Sequence, residues 1–342
     1  MNSIVADEII KKIKEHINLN DSLPYLSKDR YHLFKISPEN FKQIKNIQGD
    51  RKIVFIDGGN GEIIKAPNIS LQFIRVYANV FLHNKKIDSR KDEFYALITT
   101  EKREEIVYTT KLFQNNLLDE NRLTFNLYDR TIANDISNIS ISKIADVIRR
   151  FAELSLATKI AEELDEGDII VLDGELEERY TNENFYIEKL YSVSKKRGLV
   201  ITAISKTSKL LTQSGDVLSV MLSKKAPFNE WYYPNIAKTK NNNVSIYFVK
   251  LHKDSEYVFK IEVYNSQNTD NKIFSLLRKQ SQDPVFIGYP YGLIDADKHA
   301  RISNSELSYI KTKFFARLGN KLKEIQPYLN SLNAHNILDS IS

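Results

Sequence analysis

The sequence predicts an α/β protein, a mixed sheet flanked by helices with helical extensions at both ends. Three observations carry this. β-Branched and aromatic runs arrive as a block between residues 53 and 110, a long apolar-periodic segment follows at 141–164, and strand and helix signals alternate after it.

Residues 4–19 place Ile4, Ile9, Ile10, Ile13 and Ile17 at helical spacing, with lysines on the other flank. A polar stretch through Pro24 and Pro38 leads to the first strand near Lys52. "ISLQFIRVYANVFLHN" (69–84), "EFYALITT" and "EEIVYTT" then read as neighbouring strands with short polar connections, which favours antiparallel pairing. "ISKIADVIRRFAELSLATKIAEEL" is the clearest helix, a second is expected at 183–195, and "GLVITAIS" is the strand beyond it. "VSIYFVKL" and "YVFKIEVY" form another strand block. From Ser303 onward the chain reads as helical, opened by a serine cap with Glu306 close behind. No repeat of solenoid length and no linker breaks the pattern. The expected division is an N-terminal helical extension at 1–48, a core at 49–305 and C-terminal helices at 306–342, packed together as one unit.

A chain of 342 residues with 42% hydrophobic content can bury a large core. Lys and Arg number 49 against 44 Asp and Glu, and the net charge of +5 permits a polyanionic partner without demanding one. With no cysteine, disulfides, zinc–thiolate sites and thiol nucleophiles are excluded. No apolar run reaches the roughly 20 residues needed to cross a bilayer, and "MNSIVADEIIKKIKEHINL" has no signal-peptide core. A soluble cytoplasmic protein with no membrane partner is expected.

Four places hold candidate acids. "IVFIDGG" (53–59) and "IIVLDGE" (169–175) each run four apolar residues into Asp-Gly. Strands apolar on both faces are buried on both sides, so Asp57 and Asp173 are expected where such strands leave the core, with glycine turning the chain. An Asp-Gly turn explains either one alone. Two of them at strand ends suit a crevice of the kind where α/β sheets gather ligands. Glu153 shares a helical stripe with Leu156, Ala157 and Ile160, so it is either partly buried and partnered or at the edge of a wet face, and if buried it needs a cation. Arg149, at i−4, is a local way to supply one, and a divalent metal is the functional way. In "GYPYGLIDADKHARIS" (288–303), Asp295, Asp297 and His299 would share one side if the segment were extended. If all four acids met, an oxygen-rich pocket without thiolates would favour magnesium or manganese. Clustered carboxylates carrying two such ions about 4 Å apart perform in-line phosphoryl chemistry, here phosphodiester hydrolysis.

Other signals are weaker or absent. No G-x-x-x-x-G-K-[ST], H-E-x-x-H or G-x-S-x-G motif occurs, so a P-loop ATPase is excluded and nothing recommends a serine triad. Lys206, in "ITAISKTSKLL", can touch a phosphate or simply be solvated. Trp231, beside Tyr232 and Tyr233, can stack on an unpaired base or pack in a core.

"VFIDGGNGEIIKAPNISLQFIRVYANVF", the helix around Arg150 and Glu153, "IIVLDGEL", "ITAISKTS" and "GYPYGLIDADKHARIS" stand in the order found in NurA nucleases. The resemblance spans roughly residues 50–305. It implies an RNase H-like core, a homodimer, and a manganese- or magnesium-dependent nuclease holding one or two ions. It implies 5′→3′ exonuclease and single-strand endonuclease action on DNA. The implied partner is the hexameric ATPase HerA, in archaeal DNA end resection for recombinational repair. Asp57, Glu153 and Asp173 match the family's metal-binding acids, and the fourth ligand after Gly-Tyr-Pro is Asp297, with His299 as the alternative. Lys206, Arg150, Trp231 and Tyr289 are the candidate DNA contacts. The rival reading is a catalytically inactive RNase H-like core serving as a nucleic-acid-binding or scaffold subunit.

Overall fold

The computed structural model describes residues 3–16, 23–47, 49–132, 140–241, 244–264 and 272–330. Its strands are β1 (Tyr31–Leu33), β2 (Lys42–Gln43), β3 (Ile53–Lys65), β4 (Ile69–Leu82), β5 (Lys85–Lys102), β6 (Ile106–Phe113), β7 (Phe125–Asn126), β8 (Ile169–Asp173), β9 (Val200–Ser205), β10 (Trp231–Thr239), β11 (Val244–Lys250) and β12 (Phe259–Tyr264). Its helices are α1 (Ser3–His16), α2 (Ile141–Ala161), α3 (Glu183–Arg197), α4 (Leu218–Lys225), α5 (Lys272–Gln280), α6 (Tyr291–Ala300), α7 (Asn304–Leu318) and α8 (Leu322–Asn330). Positions 17–19 of the expected first helix, and 331–342 of the expected C-terminal helices, lie outside the described residues.

The chain divides into two units, each drawn from separated stretches of sequence. The first break in sequence falls at Asp50–Arg51. The later ones do not follow chain order, because strands remote in sequence pair side by side.

One unit holds Arg51–Leu172, Glu177–Leu199 and the chain from Gly292. Its sheet runs β8-β3-β4-β5-β6-β7. The pairs from β3 to β7 are antiparallel, as the short polar connections predict, while β8 lies parallel to β3. Strands β3, β4 and β5 pair antiparallel, α2 follows and β8 lies parallel to β3, the order of an RNase H-like core, with β6 and β7 added at the edge. Helix α2 packs on β3 and β4. It is buried on almost every side because both of its stripes, Ile144/Val147/Ile148/Phe151 and Leu156/Ala157/Ile160, meet apolar neighbours. Helix α7 covers the far end of β3 and β4, where Leu307, Ile310, Phe314 and Phe315 pack on Ile63, Ile64, Leu71 and Phe73. Ser303 caps it as read from sequence, its Oγ accepting from the Glu306 N–H.

The other unit holds residues 1–50, Asp173–Leu176 and Val200–Tyr291. Its strands run β1-β10-β11-β12-β9, with β2 beside β10, around a core that includes Phe41, Met221, Trp231, Tyr233 and Phe248.

The glycines of "DGG" differ from expectation. Strand β3, 13 residues long, does not end at Asp57 but continues to Lys65. Gly58 and Gly59 therefore serve close approach, not turning. A Cβ on Gly58 would lie 2.6 Å from Glu153 Oε1, and one on Gly59 would lie 2.4 Å from the Ala300 carbonyl oxygen. Asp173 does end its strand as expected, followed by Gly174 at φ +111°.

A tight approach also seats α6. A Cβ on Gly292 would fall 2.0 Å from the Phe55 ring, and Phe55 has no exposed surface into which to retreat. Gly292→Ala is therefore expected to cost about 1–3 kcal/mol by overpacking. Urea denaturation would show this as a lower midpoint at unchanged slope, partly restored when Phe55→Leu is added.

Arg75 on β4 joins β5 to α7, donating to Glu93 at 2.6 Å and to Glu306. Burial alone would raise the Glu93 pKa, but hydrogen bonds from Arg75 and Lys91 outweigh it and hold the carboxyl below its ordinary value. A lowered folded pKa stabilises fully above the unfolded value of about 4.3 and is lost as pH falls through the folded value. Glu93→Gln is thus less stable than wild type at neutral pH, and the gap closes under acid; thermal denaturation across the acid range measures it.

Candidate metal centre

The site begins with register. Ile53, Val54, Phe55 and Ile56 of β3 pair in parallel with Ile169, Ile170, Val171 and Leu172 of β8. The next residue on each strand is an aspartate, so the two runs that look alike in sequence end side by side. Asp57 is buried at 8% exposure, and its Oδ1 accepts from the Gly58 N–H at 2.7 Å. Asp297 arrives on α6. One carboxylate oxygen from each of Asp57, Asp173 and Asp297 lies within 4.8 Å of the others, a group able to hold a metal ion. Three acids from two strands and a helix have converged.

Helical geometry explains why Asp297 joins them and its neighbours do not. The extended reading of 288–303 is corrected: residues 291–300 are helical. Positions four apart share a helix face, whereas positions two apart point away from each other. Asp295 and His299 therefore form one pair and Asp297 faces elsewhere. Asp295 accepts from Asn79 Nδ2 and Lys86 Nζ, each at 2.7 Å. Burial works against its charge, yet these two donors prevail and lower its pKa. His299 holds the Asp295 carbonyl oxygen through Nδ1 at 2.7 Å and stacks on Tyr77 at 4.8 Å. It braces α6 on the sheet, and of the two residues expected after Gly-Tyr-Pro it is Asp297 that lies with Asp57 and Asp173. Asn79 also donates to the Gly292 carbonyl oxygen at 2.9 Å. Sequence reading missed Tyr77 and Asn79; the available signal was a fully buried amide inside the apolar run of β4.

Glu153 is buried at 7% but stands outside the three-aspartate group. Its carboxylate lies against Gly58, with Arg149 Nε at 3.9 Å and Arg150 Nη1 at 4.0 Å. Both arginines are close enough to balance its charge, and neither contact is short enough to be a hydrogen bond.

The expected DNA contacts divide. Lys206 stays 44% exposed and reaches Asp173 Oδ2 at 2.6 Å, beside the acids. Arg150 is 12% exposed and donates to the fully buried Glu183 at 2.9 Å. Glu183 Oε2 in turn accepts from the N–H groups of Arg179 and Tyr180. Arg150 thus anchors the start of α3 and is corrected as a DNA contact. Trp231 is 1% exposed, edge-on to Phe41 at 5.0 Å, and Tyr289 is 1% exposed, stacked on Phe286 at 5.3 Å. Neither ring has a free face for a base, and both are core residues.

A mixed sheet flanked by helices, with three aspartates from two strands and a helix close enough together to hold a metal ion, defines an α/β protein with a candidate carboxylate metal site. The NurA domain profile matches residues 51–302, most of the chain, and the chain belongs to the NurA family. It is accordingly a nuclease, a phosphodiester hydrolase acting on nucleic acid. No curated protein matches it. Among solved structures it is similar to the NurA nuclease from Sulfolobus solfataricus, at 12% identity over 94% of each chain with a TM-score of 0.49. It is also similar to Ciona intestinalis Endonuclease V in complex with inosine-containing DNA, at 11% identity over 76% of this chain and 87% of that one, TM-score 0.39. The catalytic domain of human Endonuclease V follows at 11% identity, 88% and 95% coverage, TM-score 0.38. These likenesses are remote, and the family assignment stands on the sequence match. Among the described residues no helix is long and apolar enough to cross a membrane.

Removing a single ligand should be legible in metal binding. Asp57→Asn, Asp173→Asn and Asp297→Asn are each expected to lower manganese affinity by at least the roughly 10- to 100-fold that loss of a mere supporting contact costs. His299→Ala leaves it near wild type. Calorimetric titration of the folded variants checks both outcomes.

Proposed function

We propose that this chain is a manganese- or magnesium-dependent deoxyribonuclease with 5′→3′ exonuclease and single-strand endonuclease action. In this reading it works as a homodimer with a hexameric HerA-type ATPase, resecting DNA ends for recombinational repair. What supports it most is the convergence of Asp57, Asp173 and Asp297 in a chain of the NurA family. The donor set fits the metal: three carboxylates and no thiolate suit a hard divalent cation.

When bound, such an ion supplies Lewis acidity at a phosphoryl oxygen and makes water nucleophilic at neutral pH. The chain does the positioning. Asp57 is oriented by the Gly58 N–H, and one oxygen of Asp297 is held by Arg301 Nη2 at 2.7 Å. Lys206 pairs with Asp173 on a side chain that is 44% exposed, and in this reading it supports phosphate charge as a point cation. Glu153, buried against Gly58 on α2, adds negative charge one residue beyond Asp57.

The scaffold reading draws on one observation, that Asp173 and Asp297 already pair with Lys206 and Arg301. A manganese titration together with a cleavage assay on end-labelled DNA separates the two. The nuclease reading expects divalent-dependent cleavage that EDTA stops, that added manganese restores, and that a folded Asp57→Asn protein lacks. Full activity in EDTA or in that variant would sink the site; a protein that neither binds manganese nor cuts DNA is the scaffold.

A further inference from the structure

Arg149 sits where the proposed site needs a second cation, and its donors are largely unused. It precedes Arg150 on α2, so the two guanidinium groups leave the helix in different directions. Arg150 turns inward to Glu183, while the Arg149 side chain keeps 34% of its surface exposed. Its Nη1 donates to the Gly58 carbonyl oxygen at 3.2 Å, one residue past Asp57. Among the described residues its Nε, itself buried, has no hydrogen-bond partner.

A guanidinium carries five N–H donors, and one of these is used on Gly58. Service as the counter-ion of Glu153 does not account for the rest. The Nε–Oε1 separation of 3.9 Å is no hydrogen bond, and Arg150 stands at a matching 4.0 Å from the other Glu153 oxygen. With the side chain 34% exposed, its unused Nη donors can meet an acceptor arriving from outside. Three aspartates and Glu153 make the neighbourhood acidic, which turns away a free anion unless something draws it in. A planar fork of donors suits two oxygens of one phosphate far better than it suits a carbonyl.

We infer that Arg149 is a substrate-binding residue that grips the phosphate at the cleavage site from the Glu153 side, opposite in role to Lys206 at Asp173. The inference rests on the proposed nuclease reading and assigns that site its second phosphate contact.

The test uses the full chain and a fluorescent single-stranded DNA of about 20 nucleotides, bound in EDTA so that neither metal nor turnover enters. Arg149→Ala is expected to weaken binding by about 5- to 10-fold and to lower the slope of log affinity against log salt by about one. Manganese affinity, measured separately, stays near wild type. Unchanged DNA affinity and salt slope in the folded variant overturn the inference. So does loss of manganese affinity and thermal stability with DNA binding intact, which makes Arg149 the support of Glu153. Should the alanine variant not fold, Arg149→Lys keeps the charge and removes the fork; a kcat reduced by about tenfold or more at unchanged salt slope upholds the assignment, and a wild-type kcat overturns it. If wild type binds DNA yet shows no divalent-dependent cleavage, the nuclease reading fails on its own, while the comparison in EDTA still decides the arginine.

Discussion

The parallel register of β3 against β8 is the constraint on which the rest depends. Ile56 faces Leu172, so the next residues, Asp57 and Asp173, must come out together. A slip of one residue would turn one of the two carboxylates to the opposite face of the sheet. The eight residues that set this register, Ile53–Ile56 and Ile169–Leu172, are all buried, with exposures of 4% or less. Burial of apolar side chains on both faces is what makes the register expensive to lose.

Helix α6 brings the third acid onto that pair, and its seat is built from packing and polar contacts together. Gly292 lets the helix backbone meet Phe55, and Asn79 holds both the Gly292 carbonyl and the Asp295 carboxylate. Lys86 and the Tyr77–His299 stack complete the grip. The two faces of α6 thus divide the work. Asp295 and His299 hold the helix, and Asp297 is left to face the strand ends.

Gathering three carboxylates within 4.8 Å costs electrostatic free energy unless cations accompany them. The protein supplies some of that charge itself. Lys206 meets Asp173, Arg301 meets Asp297, and Arg149 lies on the carbonyl beside Asp57. Lys206 and Arg301 keep substantial exposure, 44% and 72%, so both can yield to a metal ion or a phosphate without stranding a buried charge. Arg150, by contrast, is committed to Glu183 and cannot move without taking the cation from a fully buried acid.

The amino-acid sequence by itself determined the class of fold and singled out the acids Asp57, Asp173 and Asp297 that meet in the structure. β-Branched runs, helical periodicity and the Ser303 cap are local signals, and they survive folding because each element buries the face its own spacing predicts. The order of the Asp-Gly, Ser-Lys-Thr-Ser and Gly-Tyr-Pro segments was likewise legible without coordinates. Tertiary structure alone decided the rest. Whether Gly58 and Gly59 turn a chain or admit a neighbour depends on Glu153 and Ala300, nearly 100 and more than 200 residues away. Which of Asp295, Asp297 and His299 faces the strand ends depended on a helix that the extended reading missed, and whether Trp231 and Tyr289 were free to stack depended on Phe41 and Phe286. The physical reason is common to all of these: a side chain's type follows from sequence, but its partner, exposure and direction are set by segments brought to it from far along the chain.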